Sequence, residues 1–205
     1  KSVEYLKELD ISNKNDIPKD ITNIYTTNVG VDFKNMKKLN EIAEPDIELI
    51  SDDKLLQNSK QVPFNNINKE PMLRTMIEKE APKRIVVKIG AEIILTRNIP
   101  GGILVNGLRG KIIDIEDDNT PIAEFHSREN TFVSSIPKIM YDVKFKNYKA
   151  VRLQYPIKLA WSLTVHRCQG ITLCDLLFHV DRSFEVGQIY VGMSRVTDPS
   201  NLIIN

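Results

Sequence analysis

The spacing of apolar side chains predicts helices and strands near both ends of the chain and strands alone in its middle. Phe33, Met36, Leu39 and Ile42 recur at three-residue intervals, which predicts an amphipathic helix over residues 31–42. A second predicted helix covers residues 70–80 and ends before Pro82. Short apolar runs predict strands elsewhere in these parts of the chain, at residues 23–28, 46–51, 176–180 and 202–204.

After Pro82 the pattern changes to strand-like segments that are separated by turn-forming residues. The predicted strands cover residues 84–90, 92–96, 111–115, 131–133 and 138–145. Short strands at this spacing predict a small β-barrel of SH3-like type. From Leu159 onward we expect a helix, a strand, a second helix and a terminal strand. One α/β domain is therefore predicted to be split in sequence by an inserted all-β domain.

Composition narrows the class of protein only a little. The 205 residues include 28 basic and 27 acidic side chains, a net charge of +1, which excludes a polycationic arm but not a local basic groove. Two cysteines give no disulfide framework, so we expect an intracellular protein of nucleus or cytoplasm. We expect no membrane span and no signal peptide. The chain begins with Lys1, so we expect a piece of a longer protein, and its Asn, Lys and Ile content hints at a viral or parasite source.

A first polar cluster lies between residues 159 and 173. If residues 159–169 form a helix, Thr164 and Gln169 lie near its end and Gly170 terminates it. Thr and Gln side chains at a helix end can donate to phosphate oxygens without reading bases. The alternative is a capped amphipathic helix whose polar residues have no function.

A second cluster, Gln188 to Arg195, ends on an arginine. The guanidinium fork suits a phosphoryl group because it binds with two parallel hydrogen bonds and keeps its charge. In phosphoryl-transfer enzymes such an arginine contributes about 10³–10⁵ in rate. The alternative is a surface arginine in an ordinary ion pair.

The order and spacing of both clusters resemble the Pif1 family of superfamily 1 DNA helicases, with its RecD and Dda relatives. Residues 160–172 resemble motif V, and Gly187 to Arg195 resembles motif VI. Upstream, residues 25–35 resemble motif IV, residues 51–53 match a signature just beyond it, and residues 87–110 match the start of an inserted SH3-like domain. Two departures occur: Arg167-Cys168 replaces the usual Lys-Ser, and Gly192-Met193 replaces the usual Ala-Leu. Cys168 lacks a hydroxyl that could reach a phosphate.

The resemblance implies an α/β fold: a RecA-like domain of the P-loop NTPase type (domain 2A, residues 20–82 and 156–205) interrupted by an SH3-like β-barrel insertion (domain 2B, residues 83–155). Residues 1–19 would be a leading helix or linker. The parent protein would be an ATP-dependent 5′-to-3′ DNA helicase acting in replication, recombination or repair. Its partners would be single-stranded DNA, ATP and an N-terminal motor domain of the same polypeptide, which would hold Mg²⁺ and most of the ATP.

Carried over by position, the resemblance assigns roles to nine residues. Arg195 would be the arginine finger, and Gln188 and Gly170 would border the nucleotide cleft. The residues that bind DNA, or couple it to that cleft, would be Thr27, Asn28, Thr164, His166, Gln169 and Thr172.

The sequence contains no Gly-x-x-x-x-Gly-Lys-Ser/Thr phosphate loop, so this chain alone should not hydrolyse ATP. A non-catalytic single-strand-binding or adaptor module on a helicase scaffold is the alternative function, and a RecD-type subunit linked to a relaxase or exonuclease is a third.

Three other features of the sequence have both a functional and a structural interpretation: a group of His and Cys residues, the tryptophan and four basic residues. No metal site is predicted, because His166, Cys168, Cys174 and His179 lack a usual zinc spacing. Trp161 is expected in the core rather than stacked on a base. Four basic residues could form a DNA-contacting rim or an ordinary solvated surface: Arg84, Lys88, Arg97 and Arg109.

Overall fold

The computed structural model describes residues 21–25, 27–126, 130–168, 176–179, 187–196 and 198–204. In chain order its helices and strands are β1 (Thr22–Tyr25), α1 (Asn28–Glu41), β2 (Ile47–Ile50), β3 (Asp52–Gln57), β4 (Lys60–Val62), α2 (Pro71–Glu80), β5 (Arg84–Val87), β6 (Glu92–Leu95), β7 (Arg109–Ile115), β8 (Pro121–His126), β9 (Thr131–Ser135), β10 (Ile139–Phe145), β11 (Tyr148–Gln154), β12 (Ile157–Leu159), β13 (Ser162–Thr164), β14 (Leu176–Phe178), α3 (Gln188–Met193) and β15 (Leu202–Ile204). Short 3₁₀ helices cover Phe64–Lys69, Val165–Cys168 and Pro199–Asn201. No helix in the described ranges is long and apolar enough to cross a membrane.

A four-stranded parallel sheet brings together the two ends of the chain. Its strand order is β13-β1-β14-β15, and each neighbouring pair is parallel. Strands β13 and β14 are buried at every position, as expected for parallel strands covered on both faces. Because parallel strands end at one edge, the segments that follow β1, β13 and β14 all leave from that edge.

Helix α1 confirms the predicted helix but buries a different face. Its buried residues are Val31, Asn35 and Leu39, which recur every four residues. Phe33 is 74% exposed and Met36 is 49% exposed, so the predicted three-residue stripe is wrong at these two positions. The buried stripe contains a polar residue, and a pattern that counts only apolar side chains therefore chose the wrong face.

Three further sheets are antiparallel. One has five strands in the order β12-β6-β7-β8-β9, one has four in the order β10-β11-β3-β4, and the third pairs β2 with β5. No pairing among the described residues closes any of these sheets, so an SH3-like barrel is not confirmed. The strands predicted at residues 84–90, 92–96, 111–115, 131–133 and 138–145 are each present within a few residues.

Strand pairing crosses the predicted domain boundaries, which stay predictions. β3 pairs with β11, and β2 pairs with β5 across residue 82. β6 pairs with β12 across residue 156. Arg152 fixes part of this arrangement, because it donates from Nε and Nη2 to Asp53 and from Nη1 to the carbonyl of Ala81.

The helix predicted from Leu159 to Gln169 is wrong. Its described part forms β12, β13 and the 3₁₀ turn Val165–Cys168. Three consecutive side chains from Ser162 to Thr164 are buried, which suits a strand covered on both faces and not a helix with one polar side. Trp161 is 8% exposed and packs with Leu39 and Ala91, which confirms it as a core residue. The leading helix predicted at residues 1–19 lies outside the described residues.

Candidate functional site

The carboxyl-terminal edge of the parallel sheet collects several of the predicted site residues. Thr27 and Asn28 follow β1, and both are exposed. Thr164 ends β13 with a buried side chain, and the exposed His166 lies two residues further on. Ligands of open α/β sheets bind at this edge, outside the carboxyl ends of the strands. Gln169, Gly170 and Thr172 lie outside the described residues.

An aromatic stack joins the ends of β1 and β14 at the same edge. The rings of Tyr25 and His179 lie 4.2 Å apart between centroids, with an interplanar angle of 6°. Nε2 of His179 and Oδ1 of Asn23 are hydrogen-bonded at 2.9 Å. A Cβ on Gly30 would lie 2.8 Å from Cδ1 of Tyr25, so glycine there leaves room for the ring. The stack therefore fixes the geometry of the edge between the exposed Thr27 and β14.

Burial changes the proton affinity of both rings. It raises the pKa of Tyr25, and together with the charge of Lys34 it lowers the pKa of His179. Both shifts favour the neutral rings, so the stack is uncharged at neutral pH.

We expect His179 to make the free energy of unfolding pH-dependent below its ordinary pKa of about 6.5. Because the folded-state pKa is lowered, the unfolded chain binds the proton first as the pH falls. The stabilising contribution is complete above about pH 6.5 and is lost as the pH falls towards the folded pKa. Urea unfolding of the wild type and of His179→Phe between pH 5 and 8 measures this, since phenylalanine keeps a ring but has no titrating nitrogen. The variant should show the smaller slope, and identical slopes would contradict the expectation.

Arg195 follows α3 and folds back onto it. Its Nε donates to the carbonyl of Val191 at 3.0 Å, and its Nη2 donates to Oγ of Ser194 at 2.9 Å. The side chain is half-buried, and no carboxylate within the described ranges pairs with it. A guanidinium held by neutral acceptors keeps its charge available for an anion. Gln188 is the first residue of the same helix and is half-buried. Gly187 precedes it with a φ of 97°, a left-handed conformation that favours glycine.

A glycine seats α3 against the end of β14. A Cβ on Gly192 would lie 2.3 Å from Cε2 of Phe178, closer than any real contact allows. The sequence departs here from the alanine common in the family it resembles, and the ring of Phe178 gives the physical reason. Gly192 therefore sets the distance between Arg195 and the parallel sheet.

The turn after β13 lies beside α3. Cys168 in this turn is fully buried, and its Sγ donates to the carbonyl of Thr164 at 3.2 Å. Burial raises the pKa of Cys168 to about 12, against the opposing charges of Arg109 and Arg195. The two polar clusters of the sequence are therefore adjacent in space. Because Cys168 is buried and protonated, it does not replace the missing hydroxyl in a phosphate contact.

The four basic residues of the predicted rim are all engaged within the protein. Arg84 pairs with Glu48, and Arg97 pairs with Glu80. Lys88 donates to the carbonyl of Ile42 and lies 3.6 Å from Asp46. Arg109 donates to Oγ1 of Thr22 and to the carbonyl of Ala160, so it ties β7 to the parallel sheet.

Sequence reasoning does not single out Asn23, and it places Tyr25 and Asn35 in the segment that resembles motif IV without a role for either side chain. It considers His179 only among the zinc candidates. The available signal for Asn35 was a polar residue within the i, i+4 stripe of an otherwise apolar helix face. Among the described residues, no group of three His, Cys, Asp or Glu side chains is placed to hold a metal ion, and Cys174 lies outside them.

Comparison with known proteins gives consistent matches. No protein-family profile matches the chain. The ATP-dependent DNA helicase PIF1 of Danio rerio is 32% identical over 165 residues, which cover 73% of this chain and 24% of that protein. The crystal structure of the Pif1 helicase from Candida albicans superposes with a TM-score of 0.75 at 26% identity, covering 94% of this chain and 47% of that one. A Bacteroides Pif1 bound to single-stranded DNA shares the fold, with a TM-score of 0.67 at 21% identity over 100% of this chain and 45% of its own.

By fold, the chain is therefore a mixed α/β protein of the kind found in DNA helicases. More narrowly, it belongs to the Pif1 helicase family and matches the C-terminal part of its members. It spans about a quarter of the length of the Danio rerio relative.

Proposed function

We propose that this chain is the C-terminal motor portion of an ATP-dependent 5′-to-3′ DNA helicase. It comprises a RecA-like domain with an SH3-like insertion, binds single-stranded DNA and supplies Arg195 to ATP. The observation that carries this proposal is the shared edge of the parallel sheet. There, exposed polar residues after β1 and β13 lie on the same side as α3, which leads to an arginine without a carboxylate partner in the described ranges.

Contact with the DNA backbone is supported by the start of α1. Thr27 caps this 14-residue helix in an extended conformation, and its side chain makes no capping hydrogen bond. The first turn contains no acidic residue. Free backbone N–H groups and the helix dipole favour a phosphate at such an end, and the side chains of Thr27 and Asn28 can add donors. Contacts of this kind hold the strand without reading its sequence.

Contact with ATP is supported by Arg195. A guanidinium beside a transferred phosphoryl group stabilises the negative charge that develops on its oxygens. Mg²⁺ and most ATP contacts would come from an N-terminal motor domain of the same polypeptide, with Gln188 and Gly170 bordering the cleft. Arg195 suits a phosphate of ATP, because its present partners are a carbonyl and a hydroxyl that a phosphate can replace.

Coupling between the two sites is supported by the turn Val165–Cys168. It carries His166, follows Thr164 and contacts α3. When the two motor domains close around ATP, this turn, α3 and the start of α1 would move together along the single-stranded DNA. The resemblance gives Gln169 and Thr172, which lie outside the described residues, the same DNA-binding or coupling role. The protein would act in an intracellular compartment, nucleus or cytoplasm, in replication, recombination or repair.

The test is hydrolysis and unwinding by the full-length polypeptide that contains this chain. We expect ATPase activity that rises with oligo-dT, and unwinding of duplexes with a 5′ single-stranded tail but not of those with a 3′ tail. The chain alone should bind oligo-dT without hydrolysing ATP, and addition of the N-terminal half should restore hydrolysis. Oligo-dT binding by a full-length protein that never hydrolyses ATP would instead support the non-catalytic adaptor.

A further inference from the structure

One buried amide joins the helix that begins at Asn28 to the strand that leads into the turn with His166. Asn35 lies on α1, about two turns after Asn28, and is 6% exposed. The backbone N–H of Ser162, the first residue of β13, donates to Oδ1 of Asn35 at 2.8 Å. Nδ2 of Asn35 donates to the carbonyl of Ser162 at 3.1 Å. The amide therefore pairs with the edge strand β13 as a neighbouring strand would.

A third hydrogen bond completes the set. Nδ2 of Asn35 also lies 3.3 Å from the carbonyl of Leu159, the last residue of β12. The donor and acceptor groups of the amide are thus directed at the two residues that flank Ala160 and Trp161. One side chain holds both ends of the connection between β12 and β13.

Apolar packing between α1 and β13 is interrupted beside this amide. A cavity of about 450 Å³ opens there, lined by Val31, Asn35 and Met36 from α1 and by Leu159 and Ser162 from the strands. At this level the hydrogen bonds of Asn35 cross from the helix to the strand beside the cavity. Directional bonds fix register more strictly than apolar contact does, because their geometry is narrow.

We propose that Asn35 is a positioning residue that holds Thr27 and Asn28 in register with Thr164 and His166. The proposal rests on the function proposed above. In this proposal Asn35 itself contacts neither the DNA nor ATP. It fixes α1 to β13 so that DNA bound at the start of α1 sets the position of the turn Val165–Cys168, and through it that of α3.

The test variant is Asn35→Leu, which keeps the branched shape of the side chain and removes all three hydrogen bonds. In the full-length protein we expect the stimulation of ATPase by oligo-dT to fall about tenfold, while affinity for oligo-dT changes less than threefold. In the isolated chain, backbone amides 162–168 should exchange hydrogen about tenfold faster.

Leu39→Ala is the matched control for simple destabilisation. Leu39 lies one turn further along α1 and packs on Trp161 without bonding to β13. This variant should lower the melting temperature at least as much as Asn35→Leu. It should nevertheless keep the wild-type ratio of DNA-stimulated to basal hydrolysis.

Asn35→Asp distinguishes a hydrogen-bonding role from a packing role, because only the former makes DNA stimulation of the ATPase depend on pH. An ionised carboxylate has no donor for the two carbonyl oxygens, whereas a protonated carboxyl has one donor and one acceptor, much as the amide has. Burial against carbonyls raises the pKa of the introduced carboxyl. DNA stimulation in this variant, divided by the wild-type value at each pH, should therefore rise as the pH is lowered from 8 to 6.

Wild-type DNA stimulation in Asn35→Leu, or unchanged exchange at residues 162–168, would overturn the positioning role. If the wild-type full-length protein does not hydrolyse ATP, the proposed function fails. The exchange measurement on the isolated chain then decides the role of Asn35 by itself.

Discussion

Arg195→Ala in the full-length protein is expected to abolish ATP hydrolysis while leaving affinity for single-stranded DNA nearly unchanged. The loss should be about 10³–10⁵ in turnover, the range for an arginine that acts on a transferred phosphoryl group. Binding should survive because Arg195 lies after α3, whereas the proposed DNA contacts start at Thr27 and Asn28. Steady-state hydrolysis with saturating oligo-dT and fluorescence anisotropy with labelled oligo-dT measure the two effects.

Two variants separate the charge of Arg195 from its shape. Arg195→Lys keeps a positive charge but loses the planar fork, so it should recover only a small part of the rate. Ser194→Ala removes the hydroxyl that Nη2 contacts and leaves the guanidinium intact, so it should hydrolyse ATP within a few-fold of wild type. Wild-type turnover in Arg195→Ala would remove Arg195 from the mechanism.

Arg152→Leu is expected to destabilise the chain by about 3–5 kcal/mol, because it leaves a buried carboxylate without its cation. Arg152 is 1% exposed, and its Nε and Nη2 donate to Asp53 at 2.7 and 2.8 Å. Its Nη1 reaches Glu78 at 3.0 Å and the carbonyl of Ala81 at 2.7 Å. Burial lowers the pKa of Arg152, but hydrogen bonds and charges from Asp53 and Glu78 outweigh it, so the net shift is upward. Urea unfolding followed by circular dichroism measures the loss.

The cause of that loss is tested by a second substitution. Replacing both partners, Arg152→Leu with Asp53→Leu, should recover much of the stability because no buried charge is left unpaired. Lys149→Leu is the matched exposed control, since Lys149 pairs with Asp142 at 3.2 Å on a neighbouring part of the sheet. It should cost about 1 kcal/mol or less. A loss as small as this in Arg152→Leu would mean that solvent reaches Asp53 and satisfies it.

The local pattern of apolar residues was sufficient to locate those helices and strands whose own sequence has a clear periodicity. Helix α1, helix α2 and strands such as β5 and β6 lie where the periodicity predicts them. Strands β3, β4, β8 and β11 were not predicted, because half-polar strands such as Asp52–Gln57 gain their stability from partners far along the chain. The helix prediction after Leu159 was wrong for the same reason, since β13 is buried by β1 and α1, which lie far away in the sequence.

At the candidate site, the order and spacing of the polar clusters can be read from the sequence, and these were sufficient to identify the family. That follows because motif residues are read along the chain and need no neighbours. Three contacts became visible only in the folded chain. Asn35 bonds to Ser162, 127 positions away, Tyr25 stacks on His179, and the ring of Phe178 requires glycine at position 192. These contacts depend on which strands become neighbours. Long-range packing and hydrogen bonding determine which strands pair, and local periodicity does not predict it.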